Sequence, residues 1–350
     1  MISTDIKFGE FATFKYGKMP IKTKIKEVGQ YPIFSGYRNV GYYDEFNVQK
    51  GQLIIVARGV GGTGDVKLTE EPCFLTNLSI AADIDCRIAS PKFLYYYFSQ
   101  KGLRYLDSGS AQSQITISDL EKVIIQLPPL EDQLRIESCL GVLDDKFREN
   151  ETINHNLEQQ AFALFDHLFP NISDGLCTIG DYITPKRGRN LLSKDAVPGT
   201  VPVVAGGLEP STYHNTANTL APVLTISASG ANAGFVNLWH TPVWSSDSSF
   251  IDSSMTEDVY FWFVMLKKRQ REIFDAQTGS AQPHIYPQHI AAMTIRSLDK
   301  ALMSDFASQV TPLFALIGAN KDENDRLASV RDALLPKLMS GEIDVSEVEL

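Results

Sequence analysis

The sequence is poor in the residues that mark export, metal binding or catalysis. Its 350 residues include only four cysteines, Cys73, Cys86, Cys139 and Cys177, with no C-x-x-C pair. That scatter excludes a disulfide framework or zinc knuckle and leaves small core residues in a reduced cytoplasm as the expectation. The six histidines form neither H-x-x-x-H nor H-E-x-x-H, so no metal is expected. A G-x-S-x-G elbow is missing. So are the N/D-P-P-Y/F motif and the glycine-rich cofactor loop of an adenine methyltransferase. No run approaches the roughly 18 apolar residues of a membrane span; the nearest, VYFWFVMLKK from Val259, is too short. The opening MISTDIKFGEFATFKYG has no apolar core or cleavage pattern, so no signal peptide is expected.

An excess of positive charge is also missing, since the net charge is −10. Residues 1–127 carry 15 Lys+Arg against 13 Asp+Glu, and 171–296 carry 9 against 10. Residues 128–170 carry 3 against 9, and 297–350 carry 5 against 10. The acidity is therefore concentrated in two segments, and the remaining stretches are close to neutral. Such a chain could not hold DNA by bulk charge alone, so a DNA-binding role would require a basic partner.

The first acidic segment also lacks punctuation. Residues 130–169 contain no proline and one glycine, Gly141, directly after Pro128-Pro129. Leu143, Phe147, Asn150, Asn154, Leu157, Ala161, Leu164 and Leu168 recur at alternating spacings of four and three. This is the a/d seam of a coiled-coil helix rather than a broad globular face, and asparagines in such a seam fix register or partner.

The partner is in the same chain, because the chain is written twice. Gly109-Ser110-Ala111-Gln112 returns as Gly279-Ser280-Ala281-Gln282, an offset of 170. The same offset aligns Tyr31–Gly36 with Val201–Gly206, LIIVA (53–57) with VLTIS (223–227), and Pro72 with Pro242. It carries the seam onto Leu313, Ile317, Asn320, Asn324, Leu327, Leu334 and Leu338, with both asparagines repeated. Pro312 and Gly318 are expected to kink or soften this second helix near its start, and Pro336 to distort its last turn. Strands are expected at Tyr31–Phe34, Gln52–Ala57 and Val123–Leu127. Aromatic-rich helices are expected at Phe93–Lys101 and Asp258–Lys268.

The order domain, helix, domain, helix, with LPPLEDQLRI at 127–136, ALFDHLF at 163–169 and G-S-x-Q at 109–112 and 279–282, resembles the specificity subunits (HsdS) of type I restriction-modification enzymes. The resemblance covers essentially the whole chain. It implies an α+β architecture: two tandem-duplicated mixed target-recognition domains at 1–127 and 171–296. A pair of long antiparallel coiled-coil helices, in 128–170 and 297–350, would separate them with pseudo-two-fold symmetry. It further implies a non-catalytic cytoplasmic subunit that reads a bipartite asymmetric site in double-stranded DNA. Two methyltransferase (HsdM) subunits would clamp around it and two restriction (HsdR) subunits could join. S-adenosylmethionine, ATP and Mg would sit on those partners, with no cofactor on this chain. About 38 helical residues at roughly 1.5 Å each give a spacer on the order of 57 Å, or at most about 17 base pairs.

Candidate DNA contacts follow from side-chain chemistry, each with a plainer reading beside it. Lys15-Tyr16-Gly17-Lys18 and Lys186-Arg187-Gly188-Arg189 place cations around a glycine, as phosphate contacts or as solvated charge. Gly59-Val60-Gly61-Gly62-Thr63-Gly64 has the glycine spacing of a nucleotide loop. Asp65-Val66 stands where a phosphate-binding loop needs Lys and Ser/Thr, so a tight hairpin is the better reading. In its counterpart, 229–234, only Gly234 is expected to match. Arg58 at the hairpin base could pair with guanine or be an ordinary surface arginine. Tyr37, Arg38, Asn39, Tyr213, His214 and Asn215 fall in loops after the first strands, and Asn232, Gln112, Gln114, Gln282 and His284 near the hairpin and the repeated motif. All could stack on or bond to bases, or serve a loop. Two other readings stay open: a recognition subunit of a related modification or phage-defence system, and a duplicated α/β nucleotide-binding enzyme.

Overall fold

The computed structural model describes residues 3–36, 38–59, 62–107, 113–279 and 282–348. The first half runs β1 (Thr4–Lys7), β2 (Ala12–Tyr16), β3 (Tyr31–Ser35), β4 (Arg38–Tyr43), β5 (Leu53–Val56), β6 (Val66–Leu68), β7 (Phe74–Leu75) and β8 (Ser79–Ile84). Then come α1 (Pro91–Lys101), α2 (Ile117–Glu121), β9 (Ile124–Leu127) and the 39-residue α3 (Leu130–Leu168). Local chemistry sets the ends. Ser90 caps α1 and proline occupies its first turn, while Gly102 at φ +66° ends it. Thr116 and Asp119 form a reciprocal capping box on α2. The strands make a β2-β8-β5-β6 sheet and a β4-β3-β7 sheet, and β1 pairs with β9. All four residues of β5 are buried, so LIIV reads as a continuous apolar run instead of an alternating one.

The second half repeats this: β10 (Cys177–Thr178), β11 (Lys186–Arg187), β12 (Val201–Val204), β13 (Thr212–His214), β14 (Val223–Ser227), β15 (Val236–Trp239), β16 (Trp244–Ser245) and β17 (Ser248–Asp252). It continues through α4 (Val259–Lys268), α5 (Gln270–Asp275), α6 (Pro287–Ala291), β18 (Thr294–Ile295) and the 41-residue α7 (Lys300–Ser340). Its sheets are β11-β17-β14-β15 and β13-β12-β16, with β10 on β18. Every strand has its counterpart in the same order. Even the parallel pairing recurs: Ile33 opposite Phe74, and Val203 opposite Trp244.

The hydrogen bonds correct the expected alignment by one residue at the central strand. Gly64 N donates to Val56 O at 2.8 Å and Gly234 N to Ser227 O at 2.7 Å. Ile115 N donates to Ala57 O, and Ile285 N to Ala228 O. LIIVA therefore matches LTISA (224–228), and the offset returns to 170 at Gly64 and Gly234 because the second hairpin loop is one residue shorter. Gly230 then stands for Gly59, and both have positive φ. The second loop keeps two glycine positions, not one.

Contacts divide the chain into two compact units, residues 1–147 with 326–350, and residues 148–325. Each long helix contributes to both. In the first unit Ile136 and Leu140 of α3, and Leu335 and Leu338 of α7, join a core built on Leu53, Ile55, Ile80 and the α1 aromatics. Val345, beyond α7, is 2% exposed in the same core. In the second unit Ala161 and Phe165 of α3, with Phe169 just past its end, pack with Met303, Phe306, Val310, Phe314 and Ile317 of α7 against Leu224, Ile226 and the α4 side chains. The narrow-seam expectation is thus corrected, since both helices also carry a face that belongs to a domain core.

The seam itself is present. Leu143, Phe147, Leu157, Leu164, Leu168, Leu313, Leu327 and Leu334 are half-buried, and Ile317 and Leu338 are buried. Within the second unit Asn150 donates to Asn324 Oδ1 at 2.9 Å and to Glu323 at 2.7 Å, and Asn320 donates to Asn154 Oδ1 at 2.8 Å. As one residue number rises the other falls, so these segments are antiparallel. The repeat offset turns the first asparagine pair into the second, a local two-fold relation.

α7 stays helical through Pro312, Gly318 and Pro336. Gly318 has a packing role, since a Cβ there would lie 2.8 Å from the His240 ring. By length and composition α7 is also apolar enough to cross a membrane, although its apolar residues form no unbroken run of that length. The second unit's core accounts for its buried Met303, Phe306, Val310, Phe314 and Ile317. Among the cysteines, Cys73 is buried, its thiol pushed up to about 11 by burial and nearby Glu71. Cys139 and Cys177 are half-buried, but Cys86 is exposed, contrary to the core role expected of all four.

Candidate nucleic-acid interface

The two cation–glycine motifs occupy one structural position. β2 ends at Tyr16, Gly17 N donates to Ser79 O at 3.1 Å, and Lys18 N donates to Leu75 O at 2.9 Å. β11 ends at Arg187, Gly188 N donates to Ser248 O at 2.8 Å, and Arg189 N donates to Ser245 O at 2.9 Å. A Cβ on Gly17 would sit 2.3 Å from Leu75 O, and one on Gly188 2.4 Å from Ser245 Oγ. Glycine is required there for backbone approach, and Lys15, Lys18, Lys186 and Arg189 project around it, all exposed. Lys22 and Lys24 extend the first group. Lys26 pairs with exposed Asp44 at 2.7 Å, an interaction screened by solvent.

The residues expected in loops after the first strands lie largely on strands. Arg38 and Asn39 are exposed on β4, and Asn39 Oδ1 accepts the Gly41 N–H at 2.9 Å, a local turn bond. Tyr213 is exposed on β13 and Asn215 follows it, also exposed. His214 is 7% exposed; its Nδ1 accepts the Val197 N–H at 3.0 Å and its ring meets Trp244 edge-on. That imidazole is part of the domain's interior and is not displayed on a loop. Tyr37 and Gln112 lie outside the described residues, as do Val60 and Gly61.

The hairpin base and the stretch after the repeated motif come together in both copies. Exposed Arg58 bridges to Gln114, and Ser229 bridges to His284. The Gln114 N–H is held by Asp107 Oδ1 at 2.9 Å. His284 stacks on Tyr286, with centroids 6.0 Å apart. Gln282 is exposed, and Asn232 donates to Gly206 O at 3.4 Å. The glycine loop leads into strand β6, not a helix, and a Cβ on Gly64 would lie 2.7 Å from Arg104 N. Its glycine serves packing, and the helix N-terminus of a phosphate site does not follow it. Among the described residues no group of three or more His, Cys, Asp or Glu could hold a metal ion.

Sequence reasoning missed Asp247. Its Oδ1 accepts from Arg187 Nη2 and its Oδ2 from Ser229 Oγ. It joins residues 60 and 18 positions away, which no local motif could reveal.

Residues 3–159 match the type I restriction modification DNA specificity domain. The matched stretch is such a DNA specificity domain, and the chain as a whole is similar to type I specificity subunits. It is 26% identical over 94% of both chains to a candidate type I specificity subunit of Mycoplasma pneumoniae. It is 25% identical over 85% of its length, and 79% of the relative's, to the specificity subunit of the type I restriction enzyme MjaIX of Methanocaldococcus jannaschii. The S-subunit crystal structure from the M. genitalium type I restriction-modification system shares its fold. The TM-score is 0.57 at 21% identity, over 96% of each chain. The role that the matched domain's family carries is DNA specificity. The strands of the second unit, from Cys177 to Ile295, lie beyond the matched residues, and their orders repeat those of the first unit.

Proposed function

We propose that the chain reads a bipartite, asymmetric DNA site, one half-site per recognition domain, with the α3–α7 helices as spacer. The carrying observation is one strand framework, built twice, bearing different exposed and half-buried side chains at matching positions. Tyr16, Arg58 and Gln114 stand in the first copy where Arg187, Ser229 and His284 stand in the second. Two identical readers would give two identical half-sites; these two differ. Methyltransferase subunits, and restriction subunits where present, would assemble on the acidic helical segments. They would bring S-adenosylmethionine, ATP and Mg, and basic surface to offset the chain's net charge. The four cation–glycine flanks supply phosphate contacts that set register without reading sequence.

The test is exchange of residues 1–127 for another such domain, followed by methylome sequencing of cells that also make the methyltransferase. One half of the methylated motif is expected to change while the other half and the gap persist. Alteration of both halves would contradict the two-reader function.

A further inference from the structure

We propose that Arg187 reads a guanine in the half-site taken by the second domain, with Asp247 and Ser229 holding its guanidinium in the reading position. The proposal rests on the two-reader function above and names the residue that exercises it.

Arg187 is the last residue of β11, and its backbone is paired with Ser249. Its side chain is 42% exposed, and Nη2 donates to Asp247 Oδ1. The other Asp247 oxygen accepts from Ser229 Oγ. Asp247 is itself fixed by backbone bonds, Ser246 N to Val204 O at 2.8 Å and Ala228 N to Asp247 O at 3.1 Å. Gly206 closes the site from below: a Cβ there would lie 2.6 Å from Ser229 O and 3.7 Å from Asp247 Oδ2. The carboxylate is therefore held among several chain segments, and it holds the arginine in turn.

A guanidinium has five N–H donors, two of them on Nη2. Asp247 takes one, and the second forms a two-donor edge with a neighbouring nitrogen. Guanine presents O6 and N7 side by side in the major groove, the matching pair of acceptors. An arginine already fixed loses less rotamer freedom on binding than a free one. As a stability device the same exposed pair contributes little, so its three-residue support fits recognition better than folding.

The first domain lacks this arrangement. Tyr16 stands for Arg187, Arg58 for Ser229, and Asn77-Leu78 occupy the place of Asp247. Its arginine comes from the hairpin base and has no carboxylate at the corresponding position.

The experiment uses the full chain complexed with its methyltransferase, selecting from a DNA library randomised over both half-sites, with melting curves to confirm folding. R187A is expected to lower the preference for guanine at one position of one half-site by about tenfold or more. The other half-site and the salt slope should stay unchanged. R187K keeps the charge without the fork and should show the same single-position loss, which keeps the test valid if R187A folds poorly. D247A should relax the same position less, and D247N, which retains an acceptor, less still. An unchanged motif in R187A and R187K would overturn the assignment. So would a uniform loss of affinity with a shallower salt slope, the mark of a phosphate contact. If exchange of residues 1–127 also failed to alter one half-site alone, the two-reader function itself would fall. If that exchange behaved as expected, only the Arg187 assignment would.

Discussion

In the first domain β2 closes with Lys15-Tyr16-Gly17-Lys18, and in the second β11 closes with Lys186-Arg187-Gly188-Arg189. The outer cations and the glycine are the same in kind, while the residue before the glycine is not. Each glycine lets the chain pass a neighbouring backbone too closely for any Cβ. Cations on that turn can meet phosphates, which are alike at every site. A residue meeting bases must differ if the half-sites differ. Comparing the copies thus separates positioning from reading without reference to any other protein.

The largest expected effect asks whether each half of a helix belongs to the domain it packs on. Phe165 of α3 is 2% exposed, with Phe169, Phe261 and Phe306 around it at 5.1–5.6 Å. F165A should cost about 3–5 kcal/mol. The loss should fall on the second unit, read as faster amide exchange there with the first unit's protection kept. Leu335 is its repeat counterpart, buried in the first unit's core. L335A should cost about 2–5 kcal/mol and expose the first unit instead. A shared loss of protection from either substitution would break the two-unit division.

A middle-sized effect concerns the asparagine pairs. N150A removes the donor to the buried Asn324 Oδ1 and should cost about 1–3 kcal/mol in urea unfolding. The double variant N150L/N324L should lose less than N150A, because both polar partners leave together. A double variant less stable than N150A would show that the pair contributes directly to stability, beyond fixing register.

The smallest effect distinguishes the units by pH. Burial, with Lys321 nearby, lowers the His240 imidazole from its ordinary 6.5 to about 4, with Asp322 opposing weakly. The folded state favours the neutral ring. Its contribution is therefore complete above about pH 6.5 and is lost as pH falls toward 4. The first domain has Glu70 at the equivalent place. The second unit's melting temperature should fall in that window in the native chain and fall less in H240F; parallel slopes would remove His240 from the account.

The duplication was legible because Gly-Ser-Ala-Gln and two seam asparagines are rare enough to match at one offset. The one-residue shift at β5 and β14 was not legible. LIIVA slides along VLTISA without losing apolarity, and only hydrogen bonds such as Gly64 N to Val56 O fix the register. Phe165 and Phe306 went unread for a related reason: seam residues and domain-facing residues are equally apolar, and which surface each meets depends on distant chain. His214 looked like a loop reader by type, but its burial depends on Val197 and Trp244. By residue type Arg187 is one cation among its neighbours, and the partners that distinguish it from Lys186 come from distant chain, at Asp247 and Ser229.

The most direct test of the central claim is the methylation motif of a chain carrying the second domain's residues 171–296 in both positions. Two readers on one frame predict the same half-site twice, with the native second half kept and the native first half gone. A motif still asymmetric, with the original first half intact, would contradict the account.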